Sequence, residues 1–233
     1  MGRYLLIYSA TWPQSIEFHD QWQEVVRFAE STSEIDYRND PSHVDIRIES
    51  DGVVLRFEPG RIKVAFAGLQ YSTDAAMAIA DEVVATLRPR RINTVHARSV
   101  LVEEVPGNKY DRLIKRLAPR SPIDPGDALI DWRLMQRRTS DATGFEMAEV
   151  TSAVVERDEG REALSSGIDW HDWAAERVPN VGIFFDIHHH GHNHSKVDVS
   201  SVGEAWNAAR AESDDWIREM NEQVQQNYGG GTK

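Results

Sequence analysis

The 233-residue chain contains no cysteine. That absence excludes disulfides, thiolate metal sites and a cysteine nucleophile, and with them a secreted disulfide scaffold. Lysine is scarce, with 5 of the 26 basic residues against 21 arginines, a bias that GC-rich coding produces, as in actinobacteria and their phages. Positive charge is in deficit as a whole. The 38 acidic residues leave a formal charge of −12, which repels phosphate backbones and anionic membrane surfaces, so neither nucleic acid nor membrane is expected as a partner. The basic stretch Arg88-Pro89-Arg90-Arg91 reads as a solvated turn after a helix. Long apolar runs are missing too. Residues 1–8 are too short an apolar run for a signal peptide or a span, and no later stretch approaches about 18 uncharged apolar residues. The expected location is cytoplasmic or virion-associated.

Common catalytic signatures are likewise absent. The chain has no G-x-x-x-x-G-K-[ST] phosphate loop, G-x-G-x-x-G turn, G-x-S-x-G elbow or H-E-x-x-H helix, which removes the usual support for nucleotide-driven and serine-hydrolase chemistry. The string His190-Gly191-His192-Asn193-His194 departs from the HxHxDH pattern of metallo-beta-lactamase-like hydrolases, because Asn193 stands where the acid belongs and no downstream His completes two metal sites. His192-Asn193-His194 does not make a nuclease of the class named for such residues either, since the helix expected over 201–226 contains no histidine. Carboxylate pairs such as Glu103-Glu104 and Asp214-Asp215 read as solvated faces in so acidic a chain.

What is present is a folding sequence. Forty per cent hydrophobic residues and seven Trp support a sizeable core, as one domain or two small lobes. Residues 3–8 read as a strand, and Ser15 can cap a helix with the apolar stripe Phe18, Trp22, Val25, Val26 and Ala29. Val44, Ile46 and Ile48 alternate with Asp45, Arg47 and Glu49; Asp51-Gly52 and Pro59-Gly60 then mark turns of a three-stranded antiparallel meander. A helix with Met77, Ala80, Val83, Val84 and Leu87 inward follows, then a long alternating strand over 92–105. Three prolines in 119–125 forbid regular structure and place a boundary near Ser121 to Gly126.

Beyond it, strands are expected over 128–137, 145–156 and 181–188, with a helical or irregular insert over 162–176. Last comes a helix with the capping box Ser201/Glu204 and the stripe Val202, Trp206, Ala209, Trp216, Ile217, Met220 and Val224. The expected fold is α+β, with mainly antiparallel sheets, helices on one face of each, and two closely packed lobes. Residues 1–120 form the first lobe, 121–228 the second, and 229–233 a flexible tail.

The sharpest chemical feature is a run of five histidines within seven residues, His188, His189, His190, His192 and His194, after the apolar strand and Asp186. In an extended chain Asp186, His188, His190, His192 and His194 share one face. Neutral imidazole is a borderline ligand for zinc or nickel, so a divalent transition metal is the cofactor to expect. Neighbouring imidazoles alone seldom reach tetrahedral geometry, however, and a catalytic site needs a ligand or base from elsewhere. His171 and Asp172, between Trp170 and Trp173, are the candidates for that role. His19, His43 and His96 show no ligand partner by spacing. The competing reading is a polar loop joining a buried strand to the last helix.

Two functions follow. An acidic, cysteine-free chain without catalytic motifs, rich in the Trp that partner surfaces favour, reads as a non-catalytic structural, assembly or adaptor protein of a bacterial or phage system. Such a protein binds a protein partner or itself, with the histidine tract as a metal or partner contact. The alternative is a metal-dependent hydrolase centred on Asp186 and the histidines.

Overall fold

The computed structural model describes residues 3–13, 18–31, 35–40, 43–48, 53–67, 78, 81–82, 84–86, 89, 91–104, 132–156, 181–191 and 202–229. Along the chain the elements are β1 (Arg3–Thr11), α1 (Phe18–Ser31), β2 (Ile35–Asp40), β3 (His43–Ile48), β4 (Val53–Glu58), β5 (Arg61–Ala67), β6 (Thr94–Glu104), β7 (Trp132–Thr139), β8 (Met147–Glu156), β9 (Val181–His190) and α2 (Val202–Gly229). The strands form one nine-stranded sheet in the order β2-β3-β4-β5-β1-β6-β9-β8-β7. Every neighbouring pair is antiparallel.

The expected meander is present as β3, β4 and β5, and Gly60 closes its second turn at φ 73°, a conformation that favours glycine. β2 adds an edge strand that alternation did not reveal. Its segment Ile35-Asp36-Tyr37-Arg38-Asn39-Asp40 carries two apolar residues, so backbone pairing with β3 defines it rather than a hydrophobic stripe. β9 runs two residues past the expected end and takes His189 and His190 into the ladder. Because β6 pairs with β9, the sheet is continuous between the two halves of the sequence. The expected boundary at 121–126, the insert over 162–176, the Asp51-Gly52 turn and the capping residues Ser15 and Ser201 lie outside the described residues.

One sheet face carries the main core. Leu6, Tyr8 and Ala10 of β1 stand opposite Phe66, Val64 and Ile62 of β5 and pack with Val95 and Ala97 of β6. Val25 of α1, Val84, and Val202, Ala205, Trp206 and Ala209 of α2 join the same cluster. The fully buried Trp206 stacks on Tyr8 with ring centroids 5.6 Å apart. Removing each such large side chain from water contributes about 1.5–3 kcal/mol. α2 keeps the expected stripe through Met220, and Asp81 accepts the Gly203 N–H at its start, where the sequence suggested Ser201 and Glu204.

The other face begins apolar and turns polar. Leu5, Val100, Val102, Ala153 and Phe184 are buried there against Ile7, and Val54 and Ala65 touch Ile7 as well. Farther along the same strands come His96, Arg98, Asp186, His188 and His190. Of the tryptophans, Trp12 and Trp206 are buried and Trp216 is half-buried; the side chains of Trp22, Trp132, Trp170 and Trp173 lie outside the described residues.

Candidate metal centre

Strand alternation divides the histidine run between the two faces. His189 pairs with Ala97 and Ala148 on the core side, whereas His188 and His190 point the other way. Two cross-strand rows result on that second face. One reads Lys63, Ser9, His96, His190, Met147 across β5, β1, β6, β9 and β8; the next reads Ile7, Arg98, His188, Glu149, Arg137 across β1, β6, β9, β8 and β7.

In these rows His96 meets the run from 92 positions away. One ring nitrogen each of His96, His188 and His190 falls within 4.8 Å of the other two. Ring centroids are 3.9 Å apart for His188 and His190 and 5.8 Å for His96 with either. All three rings are half-buried. Among the described residues, His96 Nδ1 and His190 Nε2 are buried without a hydrogen-bond partner, a costly condition for polar atoms that a coordinated cation would relieve. Burial, and then the neighbouring His190, His96 and Arg98, hold the His188 pKa down at about 3. His96 is lowered by burial, then by His190 and Arg61. Both are therefore neutral near pH 7, the form of imidazole that ligates metals.

The surroundings are charged and paired. Asp186 stands on the same face as expected, but Arg98 holds it through two parallel hydrogen bonds of 2.9 Å, from Nε to Oδ1 and from Nη2 to Oδ2. Glu149 receives Arg137 Nη2 at 3.2 Å, and its Oε2 lies 3.8 Å from His190 Nε2, beyond hydrogen-bond length. The structure thus brings together two of the sequence-derived ligands, His188 and His190, and adds His96, which spacing along the chain had not singled out. His171, Asp172, His192 and His194 lie outside the described residues.

On the core side, His189 is fully buried and clamped. Its Nε2–H donates to Glu212 Oε2 of α2 at 2.8 Å, its ring stacks on Trp216 at 5.4 Å and 8°, and Phe145 meets it edge-on. Burial lowers the His189 pKa although Glu212 opposes the shift. Burial would raise Glu212, but hydrogen bonds from Ser140 Oγ, the Asp141 N–H and His189 more than offset this and keep it low. Both directions describe neutral imidazole bonded to carboxylate. This clamp ties β9, the loop at Ser140–Asp141 and α2 together directly behind the three-histidine group.

Gly191 closes the end of β9. Its N–H donates to Val95 O at 2.9 Å, and a Cβ there would stand 2.8 Å from that same oxygen and 2.9 Å from Gly144 O. No side chain fits this approach. The strand end can therefore settle against the residue that precedes His96. No protein-family model, no curated protein and no solved structure matches the chain.

Proposed function

We propose that the protein binds a single divalent transition-metal ion, zinc in the first instance, through His96, His188 and His190, and that it is a metal-dependent hydrolase. One observation carries this reading: ring nitrogens from two different strands converge within 4.8 Å, which supplies the remote ligand that a histidine run lacks by itself. His96, His188 and His190 would hold the ion, and zinc held by three imidazoles would supply an acidic, nucleophilic water near neutral pH. Glu149 of β8, directly opposite His188 and 3.8 Å from His190, is the carboxylate placed to orient a ligand or accept a proton. Asp186 acts through Arg98 as a brace for the strand pair rather than as a ligand.

The test uses protein purified without metal-affinity resin and dialysed against buffered zinc. Wild type should retain one equivalent, and His96→Ala should reduce affinity at least as much as His190→Ala. Equal zinc retention by wild type and His96→Ala would overturn the centre.

A second reading, an assembly or adaptor protein of a bacterial or phage system, draws on a different observation. β7 is an edge strand of the sheet, and its Leu134 and Met135 are 43% and 67% exposed, the large hydrophobics most open to solvent among the described residues. An exposed strand edge is a template for pairing with another chain. Light scattering with and without chelator separates the readings, because an assembly made through β7 is indifferent to metal. The arrangement we favour is two closely packed lobes sharing the one sheet, each with helices on the Tyr8 side; α1 lies by β2 and β3, and α2 by β6 and β9.

A further inference from the structure

Arg98 borders the histidine group on two sides. It stands directly opposite His188 across the β6–β9 ladder, so their Cα atoms are about 4.5–5.5 Å apart, and it follows His96 by two positions on the same face of β6. Its charge reaches the His188 ring, where it is one of the influences that keep the imidazole neutral. Asp186 fixes the guanidinium from one edge only, accepting from Nε and from Nη2 at 2.9 Å each. Nη1 and the second Nη2 hydrogen form the other edge, which has no partner among the described residues. Arg98 is 30% exposed, and its Nη1, unlike His96 Nδ1 and His190 Nε2, is not closed off from solvent. An oriented pair of donors therefore stays accessible beside the ligands.

Resting on the metal-centre reading, we propose that Arg98 is the specificity-determining residue of this site: its free edge holds the carboxylate of an N-acyl amino acid, a substrate whose carboxylate lies close to the scissile amide. Shape supports the assignment. Two parallel N–H donors match the two oxygens of a planar carboxylate, and a guanidinium already held by Asp186 loses little freedom in making the contact. Spacing supports it too. The carboxylate and the scissile carbonyl of such a substrate lie within about one strand spacing of each other, ~5 Å, which is the step from Arg98 to His188. Charge selects a monoanion. Arg98 is balanced by Asp186, and Arg137 by Glu149, so these side chains supply no surplus for a phosphate dianion, and both carboxylates repel it. Ile7, opposite Arg98 on β1 and partly buried, gives the contact an apolar flank that strengthens it. In the reaction, water supplies the oxygen that bonds to the acyl carbon as the C–N bond breaks, and its proton leaves on the amine.

The experiment uses the full chain loaded with zinc and calorimetric titration with N-acetylglycine, its uncharged amide N-acetylglycinamide, and inorganic phosphate. Wild type should bind N-acetylglycine at least tenfold more tightly than the amide, and more tightly than phosphate. Arg98→Gln should abolish the preference over the amide while zinc is retained, and Arg98→Lys, which keeps the charge but not the fork, should recover part of it. Because Arg98→Gln leaves Asp186 unpaired, the double variant Arg98→Leu with Asp186→Leu replaces both partners and keeps the test valid if the single variant fails to fold. A preference that survives in these variants, its absence from wild type, or tighter binding of phosphate overturns the assignment and leaves the metal centre standing. Failure of wild type to retain zinc overturns the centre and this inference together.

Discussion

His96 and His190 stand directly opposite each other across the β6–β9 ladder, their ring centroids 5.8 Å apart and their planes at 90°. Gly191, the next residue, fixes that pairing by donating its N–H to Val95 O. Strand end and remote ligand are thus set by one backbone contact.

Gly191→Ala tests that contact. The added Cβ has no room against Val95 O and Gly144 O, so the β9 end must move, at a cost of about 1–3 kcal/mol. Zinc affinity should fall with it, read by competition with a chromophoric chelator. Undiminished affinity would show that the strand end does not position the ligands.

Glu212→Ala removes the acceptor of hydrogen bonds from Ser140 Oγ at 2.6 Å and from the Asp141 N–H and His189 Nε2, both at 2.8 Å. Loss of charge-assisted bonds to a mostly buried carboxylate should lower stability by about 2–4 kcal/mol in urea denaturation. Zinc affinity should change less than stability, because the clamp lies on the opposite face of β9 from the ligands. A large loss of affinity at unchanged stability contradicts this division of labour.

Stability of the metal-free protein should decline on acidification. His96, His188 and His189 all have folded pKa values below the ordinary histidine value, His188 at about 3, so the unfolded chain binds more protons. The stability they allow is complete above about pH 6.5 and is lost as pH falls below it, at no more than about 1.4 kcal/mol per pH unit for each histidine. Glu212, also lowered, adds a loss in the same direction below the ordinary carboxylate range. Urea midpoints measured from pH 8 to pH 5 should show the decline, and a flat profile would mean that these rings are not neutral in the folded state.

Tyr8→Phe should leave the melting temperature unchanged or raise it. The Tyr8 hydroxyl is buried with no hydrogen-bond partner among the described residues, while its ring stacks on Trp206 and meets Phe66 edge-on. Phenylalanine keeps the ring contacts and removes an unsatisfied group, for a gain of about 0–1 kcal/mol. A clear drop in melting temperature would reveal a partner for the hydroxyl.

Much of the strand layout was legible because period-two alternation is written into local sequence, as in Val44, Ile46 and Ile48 or in Val53, Leu55 and Phe57. β2 was not, because an edge strand is defined by the backbone bonds of its neighbour. The stripe of α2 was readable through Met220. The Asp81 carboxylate at its start was not, since a cap supplied from another segment leaves no local spacing.

For the site, sequence alone determined that imidazoles two residues apart share a face, so His188 and His190 belong together and His189 does not. It also determined the imidazole-rich, thiol-free ligand chemistry of the chain. Only the tertiary structure decided that His96 completes the group, that Asp186 is committed to Arg98, and that Lys63 shares the face. The physical reason is that ladder register couples residues far apart in the chain, and register is set by the packing of whole faces rather than by any one strand.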